Sequence, residues 1–229
     1  MEEYTAVITG ATRGIGRAVA RTFATEGAHV VAAGRDADAL SSLASDLADA
    51  SGGVTTQRAD VRDEFDVEFL METAARVNGD IDCVVANAGV YHGTPGETPL
   101  TEASYAAFDD HLRTNARGVF STIREALPHL ASDARILVTS GSVAREYTPG
   151  YGSYAISKAA AEALVQGFAA ELDQPVGIVD PGAVETALSD TGRSPETVAP
   201  MFYWAATDCP AEAVDGKIVG LGDWKRATR

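Results

Sequence analysis

At 229 residues the chain is long enough for one full hydrophobic core and short for two, so a single domain spanning 1–229 is expected. Hydrophobic residues make up 45% of it, but no run approaches the roughly 18 apolar residues of a membrane span, which predicts a soluble chain. A net charge of −15 repels nucleic-acid phosphates and anionic lipid alike, and neither is an expected partner.

The same charge, with three lysines against fifteen arginines, predicts a halophilic protein whose dense acidic surface is relieved by screening. The alternative is simply an acidic cytoplasmic protein. Met1-Glu2-Glu3 runs straight into an apolar stretch without a basic region, so no secretory signal is expected. Cys83 and Cys209 lie far apart and outside any Cys-x-x-Cys pair, as free thiols of a reducing compartment would. His29, His92, His111 and His129 lack ligand spacing, and no metal site is predicted.

The first predicted strand, Tyr4–Thr9, leads into Thr9-Gly10-Ala11-Thr12-Arg13-Gly14-Ile15-Gly16 and then a helix with Val19, Ala20 and Phe23 inward. Gly10 allows a tight turn, Gly14 close approach of a pyrophosphate, and Gly16 close helix–strand packing. The helix start adds amide donors. A strand followed by this turn and a helix points to dinucleotide binding, with Thr12, Arg13 and Ile15 beside the glycines.

The second strand, His29–Ala33, ends at Gly34-Arg35-Asp36. An NAD enzyme presents a carboxylate about 20 residues past the glycines. Gly34 holds that position here, while Arg35 and Arg13 are placed to pair with a 2′-phosphate, so NADP(H) is predicted over NAD(H). The alternative has both arginines solvated and Asp36 on an NAD ribose.

Further strands are predicted at Val54–Ala59, Ile81–Ala86, Arg135–Thr139, Val176–Asp180 and Lys217–Leu221, with helices such as Asp38–Leu47 and Asp63–Val77 between them. This alternation implies an α/β, Rossmann-type doubly wound parallel sheet of about seven strands, covered by helices on both faces. The irregular stretches Tyr91–Pro99, Arg145–Gly152 and Gly182–Pro195 follow the fourth, fifth and sixth strands. There they would sit over the carboxyl edge where ligands bind.

Tyr154 and Lys158 stand four apart at the start of a helical run, hence on one face. A phenol of pKa about 10 is a poor proton donor–acceptor near neutrality, and an ammonium about 4 Å away favours its ionised form by up to roughly 4 kcal/mol. Lys158 is also the only lysine before position 217. The pair is predicted to move a proton while hydride moves beside it.

The turn spacing Gly-x-x-x-Gly-x-Gly, Asn87-Ala88-Gly89, and Tyr154-Ala155-Ile156-Ser157-Lys158 together resemble the classical short-chain dehydrogenase/reductase family, in order and over nearly the whole chain. The resemblance implies that Asp60 and Val61 contact adenine and that Asn87, Ala88 and Gly89 steady the sheet beside the cofactor. It also implies that Lys158 reaches the nicotinamide ribose and that Pro181, Gly182, Val184 and Thr186 line the nicotinamide carboxamide side. Asn115 resembles the fourth catalytic residue, whose amide breaks the helix ladder and holds a water. The family's serine stands thirteen residues before the tyrosine, where this chain has Gly141. Ser142 is preferred for that role, with Ser140 as the alternative.

The expected activity is interconversion of an alcohol and a ketone or aldehyde, with Tyr154 as general acid/base. Two rivals stay open: a catalytically silent dinucleotide sensor or scaffold, and a sugar-nucleotide epimerase or dehydratase, disfavoured by the short region after Thr186. The substrate is a small molecule in a pocket walled by Tyr91–Pro99, Arg145–Tyr151 and Thr186–Ser194, with Tyr147, Tyr151 and His92 making it partly aromatic. By resemblance, the chain forms a homo-oligomer, tetramer or dimer, through the helices carrying Asn115 and Tyr154.

Overall fold

The computed structural model describes residues 3–186 and 192–229. Seven strands, β1 (Thr5–Thr9), β2 (His29–Gly34), β3 (Val54–Arg58), β4 (Ile81–Ala86), β5 (Leu130–Thr139), β6 (Val176–Asp180) and β7 (Ile218–Gly220), form one sheet in the order β3-β2-β1-β4-β5-β6-β7. Every pairing is parallel, as the alternation of strand and helix requires. The chain reverses its direction of travel across the sheet between β1 and β4, which opens a crevice at their carboxyl ends.

One face is covered by α1 (Gly14–Thr25), α2 (Ala37–Asp46) and α8 (Pro195–Thr207), and the other by α3 (Glu64–Asn78), α5 (Gly118–Ala126) and α7 (Gly152–Glu171). Alternation along β1 feeds both cores: Ala6 and Ile8 point into one, Val7 into the other. Phe23 of α1 and Phe202 of α8 are fully buried in the first.

Strand β5 begins at Leu130, earlier than the apolar run suggests, because Leu130 pairs with Ile81 across an irregularity that leaves Ser132 and Asp133 exposed. Between α4 (Tyr105–His111) and α5 the helix widens into a π segment, Leu112–Arg117, that holds Asn115. A single helical turn, α6 (Val143–Glu146), follows β5, and α9 (Ala211–Val214) and α10 (Leu221–Ala227) flank β7. Both cysteines are buried and unbridged. Among the described residues no helix is long and apolar enough to cross a membrane, and no cluster of His, Cys, Asp or Glu is placed to hold a metal.

Candidate active site

The crevice is a cleft of about 520 Å³ over the carboxyl ends of β1, β4 and β5. Its floor is the glycine turn. Gly10 and Gly14 take φ of 68° and 53°, a region that penalises any side chain. A Cβ on Gly16 would stand 2.3 Å from the Gly10 carbonyl oxygen, so α1 packs against β1 only because that carbon is missing. Arg13 caps α1 with extended backbone and no side-chain hydrogen bond, and the first turn carries no acid. The amides that open the helix are left for an anion.

At the end of β2, Gly34 brings no carboxylate, and a Cβ there would meet the Thr12 methyl at 2.5 Å. Asp36 is committed elsewhere: it caps α2, accepting from the Ala39 amide at 3.0 Å. Arg13 and Arg35 both line the cleft. At the opposite wall, Val61 is buried and Asp60 is gripped by Arg62, with Nη2 at 2.6 Å. Burial works to raise the Asp60 carboxyl, but the Arg62 hydrogen bonds outweigh it and hold the group below its ordinary range.

Asn87 ties three strands together. Its Nδ2 donates to the carbonyls of Thr9 and Gly10 at 3.1 and 3.3 Å, and its Oδ1 accepts from the Thr139 hydroxyl at 3.2 Å. Ala88 and Gly89 continue along the cleft. A Cβ on Gly89 would lie 3.4 Å from Asn115 Oδ1 and 3.8 Å from Lys158 Nζ, so this glycine leaves room where those two side chains meet.

The π segment turns Asn115 inward, where it is fully buried. Its Oδ1 accepts from the Val90 amide at 2.8 Å, and its Nδ2 donates to the Val90 carbonyl at 3.0 Å and to Ser157 Oγ at 2.9 Å. The helix ladder is broken where the sequence suggested, yet the side-chain amide is occupied by protein partners, with both amide protons used.

Tyr154 and Lys158 share the inward face of α7 and line the cleft together. Lys158 Nζ donates to the Thr139 carbonyl at 3.0 Å and lies 5.9 Å from the Tyr154 ring centre. The expected lowering of the phenol is not met in this geometry. Burial, with Tyr91 and Tyr151 beside it, pushes Tyr154 up to about 12. Burial also brings Lys158 down to about 8, with Glu162 acting in the opposite sense.

The two candidate serines part company. Ser140 is buried and donates to Glu162 Oε1 at 2.6 Å, whereas Ser142 is exposed at the start of α6; both line the cleft. Pro181, Gly182, Val184 and Thr186 also line it, and a Cβ on Gly14 would come within 3.2 Å of Thr186 Cγ2. Of the expected third wall, Thr186–Ser194, residues 187–191 lie outside the described residues.

The aromatic wall differs from expectation. Tyr151 lines the cleft, but Tyr147 is 88% exposed and outside the lining. His92 lies outside the lining, tilted against His111 and bonded to Asp110 at 2.8 Å. The ring against Tyr154 is Tyr91, edge-on at 4.7 Å, with its hydroxyl 2.5 Å from Thr98 Oγ1. Behind Tyr154 stands buried His111, which accepts from the His92 amide at Nε2 and so keeps its proton on Nδ1, 2.8 Å from Ser153 Oγ. Sequence reasoning also missed Glu162, although it sits one helical turn past Lys158 on the face already singled out.

The chain is similar to known proteins in sequence and fold. The family profile described as short chain dehydrogenase matches residues 4–197. The chain is 34% identical over 210 residues to the NADPH-dependent aldehyde reductase 2, chloroplastic, of Arabidopsis thaliana, covering 84% of this chain and 76% of that protein. It is 33% identical over 201 residues to the glycine betaine reductase of Emericella nidulans, again over 84% of this chain but spanning only 15% of that much longer protein. Among solved structures, an alcohol dehydrogenase of the archaeon Thermococcus sibiricus complexed with 5-hydroxy-NADP superposes with a TM-score of 0.84 at 30% identity, over 95% of both chains. The chain belongs to the short-chain dehydrogenase/reductase family of oxidoreductases.

Proposed function

We propose that the protein is an NADP(H)-dependent oxidoreductase that interconverts an alcohol and a ketone or aldehyde. The observation that carries this reading is that Ser142, Tyr154 and Lys158 line the same cleft as the glycine turn and the two arginines. The cradle suits the cofactor: positive-φ glycines leave the turn bare, Gly34 offers no carboxylate, Asp36 is spent as a cap, and Arg13 and Arg35 face the same space. The Arabidopsis relative's name describes the same reaction class with the same cofactor.

When bound, NADPH supplies the hydride. The chain's own residues do the rest. Tyr154, a phenol protonated at neutral pH and pushed further up by burial, donates its hydroxyl proton to the carbonyl oxygen. Ser142 donates a hydrogen bond to the same oxygen as charge develops there. Lys158, held by the Thr139 carbonyl, would hold the ribose of the bound cofactor and places a positive charge beside the tyrosine. Asn115 fixes the Val90 backbone, and with it the loop that carries Tyr91 onto the Tyr154 ring.

We further propose that the enzyme works as a homo-oligomer in the cytoplasm. A shallow apolar groove on α5 and α7, lined by Phe120, Ala163, Leu164 and Phe168 among others, is the face assigned to a second copy. The decisive test of the chemistry follows NADPH absorbance with a panel of ketones and aldehydes. Wild type should turn over at least one, and Tyr154→Phe with Lys158→Ala none. Undiminished turnover in that double variant sinks the mechanism.

A further inference from the structure

The turn that carries Ser142 is short, closed by backbone bonds from the Arg145 and Glu146 amides to the Ser142 carbonyl. It begins after Gly141, whose absent side chain faces open space, and α6 is a single turn without a side-chain cap. It ends at Tyr147, which takes a left-handed φ of 49° that a bulky residue adopts at a cost. Four residues of helix do not sustain themselves in water. The turn packs on α7 through buried Ala144, and Arg145 adds charged ties from it to the rest of the cleft.

Arg145 is a fork with two different ends. Nη1 pairs with Glu162 on α7, and Nη2 pairs with Asp180 at the end of β6. The Glu162 and Asp180 side chains are each only 12% exposed and the arginine 32%, so these ions are largely out of water. Each carboxylate passes the grip on. Glu162 accepts from Ser140 at 2.6 Å and lies one turn past Lys158, while Asp180 accepts from the Gly182 amide at 2.9 Å. One guanidinium therefore joins the serine turn, the tyrosine–lysine helix and the loop that starts at Pro181.

We propose that Arg145 is a positioning residue that holds these three parts of the cleft in register, with Glu162 as its arm to the catalytic helix and Asp180 as its arm to the cofactor loop. The inference rests on the oxidoreductase reading for its catalytic arm and on dinucleotide binding alone for its loop arm. A planar guanidinium can serve two carboxylates at once, whereas an ammonium on a flexible stem cannot reproduce that fork.

The arms are separable by experiment. Glu162→Gln, which still accepts from Ser140, should lower kcat about tenfold while leaving the NADPH Kd within about twofold. Asp180→Asn, which still accepts from Gly182, should raise the NADPH Kd about tenfold with kcat changed less than about threefold. Arg145→Met should do both, and Arg145→Lys should restore at most one. NADPH Kd is read by fluorescence titration without substrate, kcat by turnover, and Tm checks folding. If Arg145→Met does not fold, the lysine and the two carboxylate variants carry the test. Wild-type kcat and Kd in folded Arg145→Met, or equal losses from both arms that follow Tm alone, overturn the proposal. If wild type binds NADPH but reduces no carbonyl, the oxidoreductase reading fails while the Kd of Asp180→Asn still decides the loop arm.

Discussion

The hydroxyls of Ser140 and Ser142 differ in what they have left to give. Ser140 already donates to the Glu162 carboxylate, and releasing that charge-assisted bond costs about 1.5–3 kcal/mol. Ser142 stands exposed in the cleft lining with no such commitment. Ser142→Ala is therefore expected to lower kcat about 100-fold, the scale of a lost oxyanion donor, and Ser140→Ala less than tenfold, as steady-state assays would register. At the far end of the cleft, Arg35→Ala should weaken NADPH about 10- to 100-fold and leave NADH nearly unchanged, measured as Kd for each cofactor. Gly34 and the arginines were legible in the sequence because a missing carboxylate is visible at a fixed distance from a glycine turn. Ser140's partner was not, since a hydrogen bond across 22 positions leaves no local pattern.

Strands buried on both faces announce themselves as apolar runs, which is why β1, β2, β4 and β6 agree closely with the sequence, while β5 departs at its polar, irregular start. The π segment has no period of its own to betray it; only Asn115 marked the place. Arg145 was invisible for a related reason, its partners lying 17 and 35 positions away on other elements. Where α4 meets α7, buried His111 sets a pH response. Burial first, and then His92, lower it to about 4, with Asp110 opposing. The folded state thus binds fewer protons than the unfolded chain between that value and about 6.5. Stability from this site is full above about 6.5 and is lost as pH falls toward 4. Tm should drop across that window, and His111→Gln should flatten the drop. On the outer face of α5 and α7, Phe120→Glu should convert the proposed oligomer to monomer in analytical ultracentrifugation.

Across the whole molecule, charge governs the response to salt. A chain carrying −15 repels itself, and salt shortens the reach of that repulsion from about 10 Å at 0.1 M to about 3 Å at 1 M. Tm should therefore rise between low and molar KCl; a flat or falling profile would argue for an ordinary acidic protein. Composition made this charge legible at once, whereas the cleft that gathers residues from position 9 to position 186 exists only because the sheet reverses between β1 and β4.

The contact between the Thr12 methyl and the bare α-carbon of Gly34 also constrains how this lineage can change its coenzyme. An acid at 34 would suit an NAD ribose, but its Cβ would come within 2.5 Å of that methyl, so the Thr12 side chain must turn away before the acid fits. Because Thr12 itself lines the cleft, coenzyme choice at the end of β2 is coupled to the side chain of the turn that holds the pyrophosphate.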